Sequence, residues 1–312
     1  NQLQERRIAA LPDDILVTTG VTQGLSLVAQ ALCRPGDSVL VEQPTYLGVL
    51  HTLKAHNLQT IGVPLDQEGP QLDVLERLVV QHRPRFFYTI PSFQNPTGLC
   101  IPLSRRRELI DLAERYGFLL IEDDIYGELY FGKNRPKTCK YYDTKGLVMH
   151  CSSLSKSLSP GYRIGWVFPG KFFDAVKQLK RIQNISSPTL TQAAIAHYLK
   201  YGRYEFHLKN LRKALHTQSL RYMQAIIRYF PPDTKVTRPH GGFILWLELN
   251  KNVNAFKLRN EAMKHHISIV PGKIFSAGNN FGNYIRICFG KPWDEDMDYG
   301  LMMLGKMIRK MI

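Results

Sequence analysis

The sequence predicts an α/β protein: a mostly parallel central sheet sandwiched by helices, followed by a small α+β unit. Three observations carry that expectation. Short β-rich runs alternate with helical periodicity through the first two thirds of the chain, the pattern changes beyond Pro231 and Pro232, and 312 residues suffice for two units at roughly 150 each. Taken in order, residues 38–42 (SVLVE), 58–63, 85–90 (RFFYTI), 118–121 and 147–151 read as strands. Between them, residues 22–33, 71–82 and 104–116 carry apolar side chains at helical spacing. Strand, helix, strand repetition favours parallel pairing, because a parallel return needs a crossover and the crossover helix covers a face of the sheet. A long helical stretch near 203–229 then links to strands at 242–248, 267–270 and 284–288 around a helix at 255–265. The division expected is residues 1–200 for the large unit and 201–312 for the small one.

Composition excludes several classes. With 44% hydrophobic and 21% charged residues the chain is globular rather than disordered or fibrous. No apolar run reaches the roughly 18 residues of a membrane helix, and the first 30 residues lack the pattern of a signal peptide. Lys plus Arg number 41 against 26 acids, a formal charge of +15 that attracts anions. The basic residues are scattered and not interleaved with aromatics, so they read as a solvated face rather than an RNA platform. Five cysteines with no CxxC pair indicate neither a zinc ribbon nor a disulfide framework, and fit a reducing cytoplasm. The chain starts at Asn1 rather than Met, so further sequence is expected to precede it.

In open α/β sheets ligands lie beyond the carboxyl ends of the strands, and four segments there hold chemistry-bearing residues. Thr18-Thr19-Gly20-Val21-Thr22-Gln23 is a small-residue turn feeding a helix, suited to an anion or simply to an N-cap. Gln94-Asn95-Pro96-Thr97-Gly98 follows a strand and presents an Asn amide, although a plain turn also explains it. Glu122-Asp123-Asp124 crowds three acids at the end of an apolar strand, where they must face solvent or meet a cation. The fourth, Ser152-Ser153-Leu154-Ser155-Lys156, sets a lysine amine in a Ser-rich turn with Arg163 seven residues on.

In this order the four segments resemble the fold-type-I pyridoxal-phosphate aminotransferases of class I/II over essentially the whole chain. Supporting stretches are PTYLG (44–48), EDDIYGEL, GGFILW (241–246), PGKIF (271–275) and YIRICFG (284–290). The EDDIYGELYFG, HCSSLSK and HHISIVPGKIFSAG stretches are most similar to the aminotransferase-like C-terminal domains of MocR-type regulators in the GntR family. Those proteins carry an N-terminal winged-helix DNA-binding domain, which this sequence lacks. The resemblance implies a cofactor, pyridoxal 5'-phosphate, and a role for each matching residue. Lys156 would form the internal aldimine and shuttle the α-proton, and Asp123 would face the pyridine nitrogen and keep it protonated. Asn95 and Tyr126 would hold the phenolic oxygen, and Tyr46 would stack on the ring. Val21, Thr22, Gln23, Ser153 and Arg163 would bind the phosphate, Arg286 would clamp a substrate carboxylate, and Asn95 would also contact the substrate. It further implies a homodimer, a small amino acid or amine as ligand, DNA contact only through the missing domain, and a partner-subunit residue near the phosphate that no position here supplies.

Rival patterns are weaker. Ser153-Leu154-Ser155-Lys156 satisfies Ser-x-x-Lys of acyl transferases, but the companion Ser-Asp-Asn and Lys-Thr-Gly segments are absent. Residues 165–171 nearly spell a phosphate loop, yet Phe172 stands where Ser or Thr should bind magnesium. His240, His265 and His266 have no partners at metal-ligand spacing, and Trp246, Phe243 and Phe256 read as core. Two functions stay open: the effector-sensing, dimerising domain of a transcription regulator, towards which the MocR-like stretches tilt the reading, and a freestanding aminotransferase.

Overall fold

A computed structural model describes residues 11–312. Eight strands build the first sheet: β1 (Leu16–Thr18), β2 (Ser38–Gln43), β3 (Gln59–Asp66), β4 (Gly69–Pro70), β5 (Phe86–Thr89), β6 (Leu119–Asp123), β7 (Val148–Ser153) and β8 (Gly165–Phe168). Their order is β1-β8-β7-β6-β5-β2-β3-β4. Strands β3, β2, β5, β6 and β7 pair in parallel, while β8 runs antiparallel to both β7 and β1 and β4 folds back on β3. Helices α1 (Val21–Leu32), α2 (Leu47–Ala55), α3 (Leu72–His82), α4 (Leu103–Tyr116), α5 (Phe173–Asn184) and α6 (Thr189–Tyr201) accompany this sheet.

The central strands are apolar at successive positions because both faces are covered. Successive side chains on a strand point to opposite faces. Phe86, Tyr88, Leu119 and Ile121 accordingly join one core cluster with Leu27 and Val28 of α1. The intervening Phe87 and Leu120 join another with Leu75 of α3 and Leu109 of α4. The polar residues of these strands fall at their carboxyl ends, which is where the site is found.

The second sheet is antiparallel, in the order β11-β12-β10-β9. Its elements are the long helix α7 (Tyr204–Tyr229), β9 (Lys235–Val236), β10 (Ile244–Glu248), α8 (Ala255–Met263), β11 (Val270–Pro271), β12 (Tyr284–Cys288) and α9 (Glu295–Arg309). Asn254 caps α8 by accepting from the Phe256 and Lys257 amides, and Asp294 caps α9 by accepting from the Met297 amide. Alternation along β12 buries Ile285 and Ile287 and turns Arg286 and Cys288 to the other face. Leu245, Leu247, Leu258, Leu301 and Ile308 belong to the same apolar cluster as Leu27 and Phe86, so the two sheets share a core.

The strand expected at 267–270 is a correction: only Val270 and Pro271 pair, because α8 ends in a turn that includes His266 at φ 59 and the chain reaches the edge of the sheet late. Several elements had no clear signal in the sequence. β1 has three residues, β8 lies inside the near-match to a phosphate loop, and α2, α5, α6 and α9 were not anticipated. Among the described residues no helix is long and apolar enough to cross a membrane.

Gly165 sets the contact between β8 and the turn before α1. A Cβ there would lie 2.7 Å from the Gly20 carbonyl carbon and 2.9 Å from the Val21 nitrogen, both backbone atoms that cannot swing away. Overpacking of this kind costs roughly 1–3 kcal/mol. Gly165→Ala is therefore expected to lower the urea midpoint clearly. Gly300→Ala serves as control: it lies within α9 with nothing near its missing Cβ, and should leave the midpoint unchanged or raise it.

Candidate active site

The carboxyl end of β6 supplies three acids, and all three are buried. Glu122 accepts from the Cys139 and Lys140 amides at 2.7 and 3.0 Å, holding a distant turn. Asp124 pairs with Arg135 and approaches His150 Nε2 at 3.3 Å. Like Glu122 and unlike Asp124, Asp123 has no cation partner among the described residues. Its Oδ2 accepts from the Tyr88 hydroxyl at 2.8 Å and its Oδ1 from the Ile125 amide at 3.2 Å. Burial pushes its pKa from the ordinary 3.8 up to about 7, against the pull of the Tyr88 and Ile125 hydrogen bonds.

Lys156 follows β7 on a turn pinned from both sides. Leu154 and Ile164 pack with Ile195 of α6 and Tyr204 and Leu208 of α7. The Tyr204 hydroxyl donates to Ser157 Oγ at 2.9 Å, and the Ser155 amide donates to Ser153 Oγ at 3.3 Å. The Lys156 ammonium lies 5.8 Å from the centre of the Phe243 ring. Tyr126, fully buried, packs edge-on against the same ring at 5.5 Å. Burial lowers the Lys156 pKa; Cys288 opposes this, while Arg286 and Arg163 add to it. Burial likewise raises the Tyr126 phenol, keeping it a donor.

Arg163 arches over the start of α1. Its guanidinium donates to Ser155 Oγ at 3.4 Å, the Pro160 carbonyl at 3.3 Å and the Thr19 carbonyl at 3.2 Å. A Cβ at Gly20, which has φ +80, would collide with that guanidinium, so the glycine makes the approach possible. Thr18 Oγ1 donates to the Gly20 carbonyl, and Gln23 Oε1 accepts from the Thr19 amide, so Gln23 secures the turn through its side chain. Val21 is buried and Thr22 exposed at the helix start.

On its apolar strand Arg286 is costly to desolvate unless an anion or acid meets it. It meets an amide instead: Nη1 donates to Asn95 Oδ1 at 2.9 Å across 191 residues, and the guanidinium carbon sits 5.0 Å from the centre of the Phe275 ring. Its buried Nε has no hydrogen-bond partner among the described residues. Tyr46 precedes α2, with Gly48 leaving room for its ring, and the neighbouring Thr45 amide donates to the Phe275 carbonyl at 2.9 Å.

The aromatic reading needs correction. Trp246 is core, but Phe256 is exposed, and Phe243 is only partly buried because it forms the wall shared by Lys156 and Tyr126. His240, His265 and His266 are on the surface, and no metal-holding cluster occurs among the described residues. Tyr88 was missed because its polar atom appears only when β5 and β6 pair; a Tyr in RFFYTI reads as one more apolar strand residue.

A lysine after one strand, a buried acid after its neighbour and an arginine over a helix start define a pyridoxal-phosphate-dependent protein of fold type I. The chain belongs to the family described as aminotransferase class I and II, whose pattern matches residues 3–304. It is 38% identical over 304 residues to the HTH-type transcriptional regulator YdcR of Escherichia coli, covering 97% of this chain and 65% of that protein, just under two thirds of its length. It is 34% identical to the 2-aminoadipate transaminase of Thermus thermophilus, covering 98% and 78%. The crystal structure of LysN, the α-aminoadipate aminotransferase of Thermus thermophilus complexed with N-(5'-phosphopyridoxyl)-L-leucine, superposes with a TM-score of 0.94 at 32% identity, covering 99% of this chain and 80% of that one.

The cofactor of this family is pyridoxal phosphate, and the residues present fit it. A cation-free buried carboxylate suits a pyridinium, and the glycine cradle under Arg163 suits a phosphate.

The raised Asp123 pKa has a signed consequence. Between about pH 4 and 7 the unfolded chain has lost this proton while the folded cofactor-free chain keeps it, so folding stability falls as pH rises through that window and levels above it. Asp123→Asn removes the effect. Thermal melts of the cofactor-free proteins should show the variant gaining on the unaltered chain from pH 4 to 7, then holding a constant lead; parallel curves would contradict the assignment.

Proposed function

We propose that this chain binds pyridoxal phosphate on Lys156 and takes an amino acid or amine onto it, as the ligand-sensing, dimerising unit of an HTH-type transcription regulator. The observation that carries the amino-acid reading is Arg286, oriented by Asn95 and left with a free Nε beside the wall occupied by Lys156 and Tyr126. The identity to YdcR supports the regulator reading.

When bound, the cofactor supplies an electron-withdrawing ring for bonds at the carbon of an attached amino compound. This chain's residues do the rest. Lys156, made less basic by burial, offers a larger neutral fraction as nucleophile and afterwards carries the α-proton. Asp123, held in place by Tyr88, keeps a proton on the ring nitrogen. Asn95, whose Oδ1 is taken by Arg286, turns its NH2 donors to the phenolic oxygen together with the Tyr126 hydroxyl. Tyr46 would stack on the ring. The α1 amides of Val21, Thr22 and Gln23, with Ser153 and Arg163, would hold the phosphate. The guanidinium fork of Arg286 takes the carboxylate at two points.

The protein divides near residue 200, with the phosphate and ring sites on the first part and Arg286 on the second. A second copy covers the apolar surface that runs from the end of α5 to the start of α7, where Ile182, Ile185, Leu190, Tyr201 and Phe206 are each more than half exposed. The five cysteines are free, which suits a reducing cytoplasm.

A second reading, a freestanding aminotransferase exchanging an amino group between an amino acid and a 2-oxo acid, is favoured by the match to the 2-aminoadipate transaminase. The same lysine and aspartate serve either role. The complete gene product, loaded with cofactor, is expected to show a visible absorbance that Lys156→Ala abolishes, and to bind its own promoter duplex in preference to a scrambled one in anisotropy titrations at two salt concentrations. The 312-residue chain alone should bind both duplexes weakly and lose them steeply with salt, as its +15 charge dictates. Steady turnover of amino acid and 2-oxo acid without promoter preference would replace the regulator with the enzyme. Arg286→Lys should keep the absorbance yet weaken amino acids roughly tenfold or more, since a point charge replaces a planar fork.

A further inference from the structure

The turn carrying Asn95 is held by buried groups outside the set assigned to cofactor and ligand. Glu42, at the carboxyl end of β2, is buried to 1% exposure. Its Oε1 accepts from Thr89 Oγ1 and from the Ile90 amide at 3.2 Å, and its Oε2 accepts from Gln94 Nε2 at 3.0 Å. Gln94 passes the restraint on: its Nε2 also donates to the Pro44 carbonyl at 2.7 Å, and its Oε1 accepts from both the amide and the hydroxyl of Thr97. Asn95 lies between these two anchored residues. From the opposite side Arg106, fully buried, donates to the carbonyls of Pro91, Ile101 and Lys137 at 2.6, 2.8 and 2.7 Å, closing the base of the turn.

We infer that Glu42 is a positioning residue: through Gln94 it fixes the 89–97 turn so that Asn95 meets Arg286 and aims its NH2 into the site. The inference rests on the reading of Arg286 as a carboxylate clamp. A buried carboxylate with three neutral donors and no cation among the described residues is expensive to keep, and burial pushes its pKa up to about 7. A turn needing only shape would do without it. Asn95 needs orientation, because an amide rotated by half a turn would set two donors against the guanidinium.

The test uses the cofactor-loaded protein and compares Glu42→Gln, Asn95→Ala and the double variant. The amide of Glu42→Gln keeps the size of the side chain but sets its own donors against one of the three that Glu42 accepts from. Two readouts are taken: the ratio of affinities for an amino acid and its decarboxylated amine, and the pH midpoint of the visible absorbance, which Asn95 lowers by donating to the phenolic oxygen. Glu42→Gln is expected to shrink the ratio roughly tenfold and raise the midpoint, in the direction of Asn95→Ala, and the double variant should go no further than the larger single effect, as coupled residues do. If Glu42→Gln does not fold, Gln94→Met breaks the same path and should give the same two shifts. A folded Glu42→Gln or Gln94→Met protein with both readouts unchanged, or effects that add to those of Asn95→Ala, overturns the inference. An unaltered protein that binds acid and amine equally removes the clamp instead, and the midpoint then decides the positioning role alone.

Discussion

The site is organised around a carboxylate buried without a cation. Asp123 ends a strand whose every residue is inaccessible to water, and its two oxygens are met by a phenol and a backbone amide rather than by Lys or Arg. Removing an acid from water on those terms opposes folding. Its neighbours show the ordinary solutions, Glu122 tying down a turn through two amides and Asp124 pairing with Arg135. Asp123 is thus hydrogen-bonded but has no charge partner among the described residues, and the parallel sheet places it where strand ends face a crevice.

The remaining site residues reach that acid from elements far apart in the chain, and each is tethered by something other than the reaction. The Lys156 turn is fixed by apolar packing and a Tyr204–Ser157 hydrogen bond to the long helix. Arg163 is fixed by three backbone or hydroxyl acceptors and by the absence of a side chain at Gly20. The turn that carries Asn95 is tied to Glu42 of β2 through Gln94 and to Arg106 of α4 through the Pro91 carbonyl. Arg286 arrives from the second sheet and locks onto Asn95. This arrangement sets an amine made less basic by burial and a buried phenol against one aromatic wall, Phe243, with a buried acid at the end of the neighbouring strand. Binding an amino compound and exchanging its amino group make the same demands, so the geometry serves sensor and enzyme alike.

Much of this was legible in the residues alone. Apolar runs such as RFFYTI and FLLI marked the central strands because they are covered on both faces, and the polar residues that follow such runs marked the site because strand ends are where a sheet can offer polar groups to a ligand. The segments that hold Lys156, Asp123, Arg163 and Asn95 were therefore visible by type and order, and the resemblance singled out those residues within them. Short or edge elements were not: β1 owes its three residues of strand to pairing with β8, and α6 is held through one buried residue, Ile195.

Tertiary structure alone decided which polar groups serve the site and which serve the fold. Residue type does not separate Glu122, Asp123 and Asp124, and the elements packed against each one give them different partners. Tyr88 and Phe243 look like core, and become part of the site because β6 and the Lys156 turn come to lie beside them. Arg286 reads as an isolated cation on an apolar strand until the second sheet brings it to Asn95. The physical reason is common to all of them: periodicity and residue type report what a side chain can do, whereas its protonation, orientation and partner depend on groups dozens to hundreds of residues away that only packing brings within 3 Å.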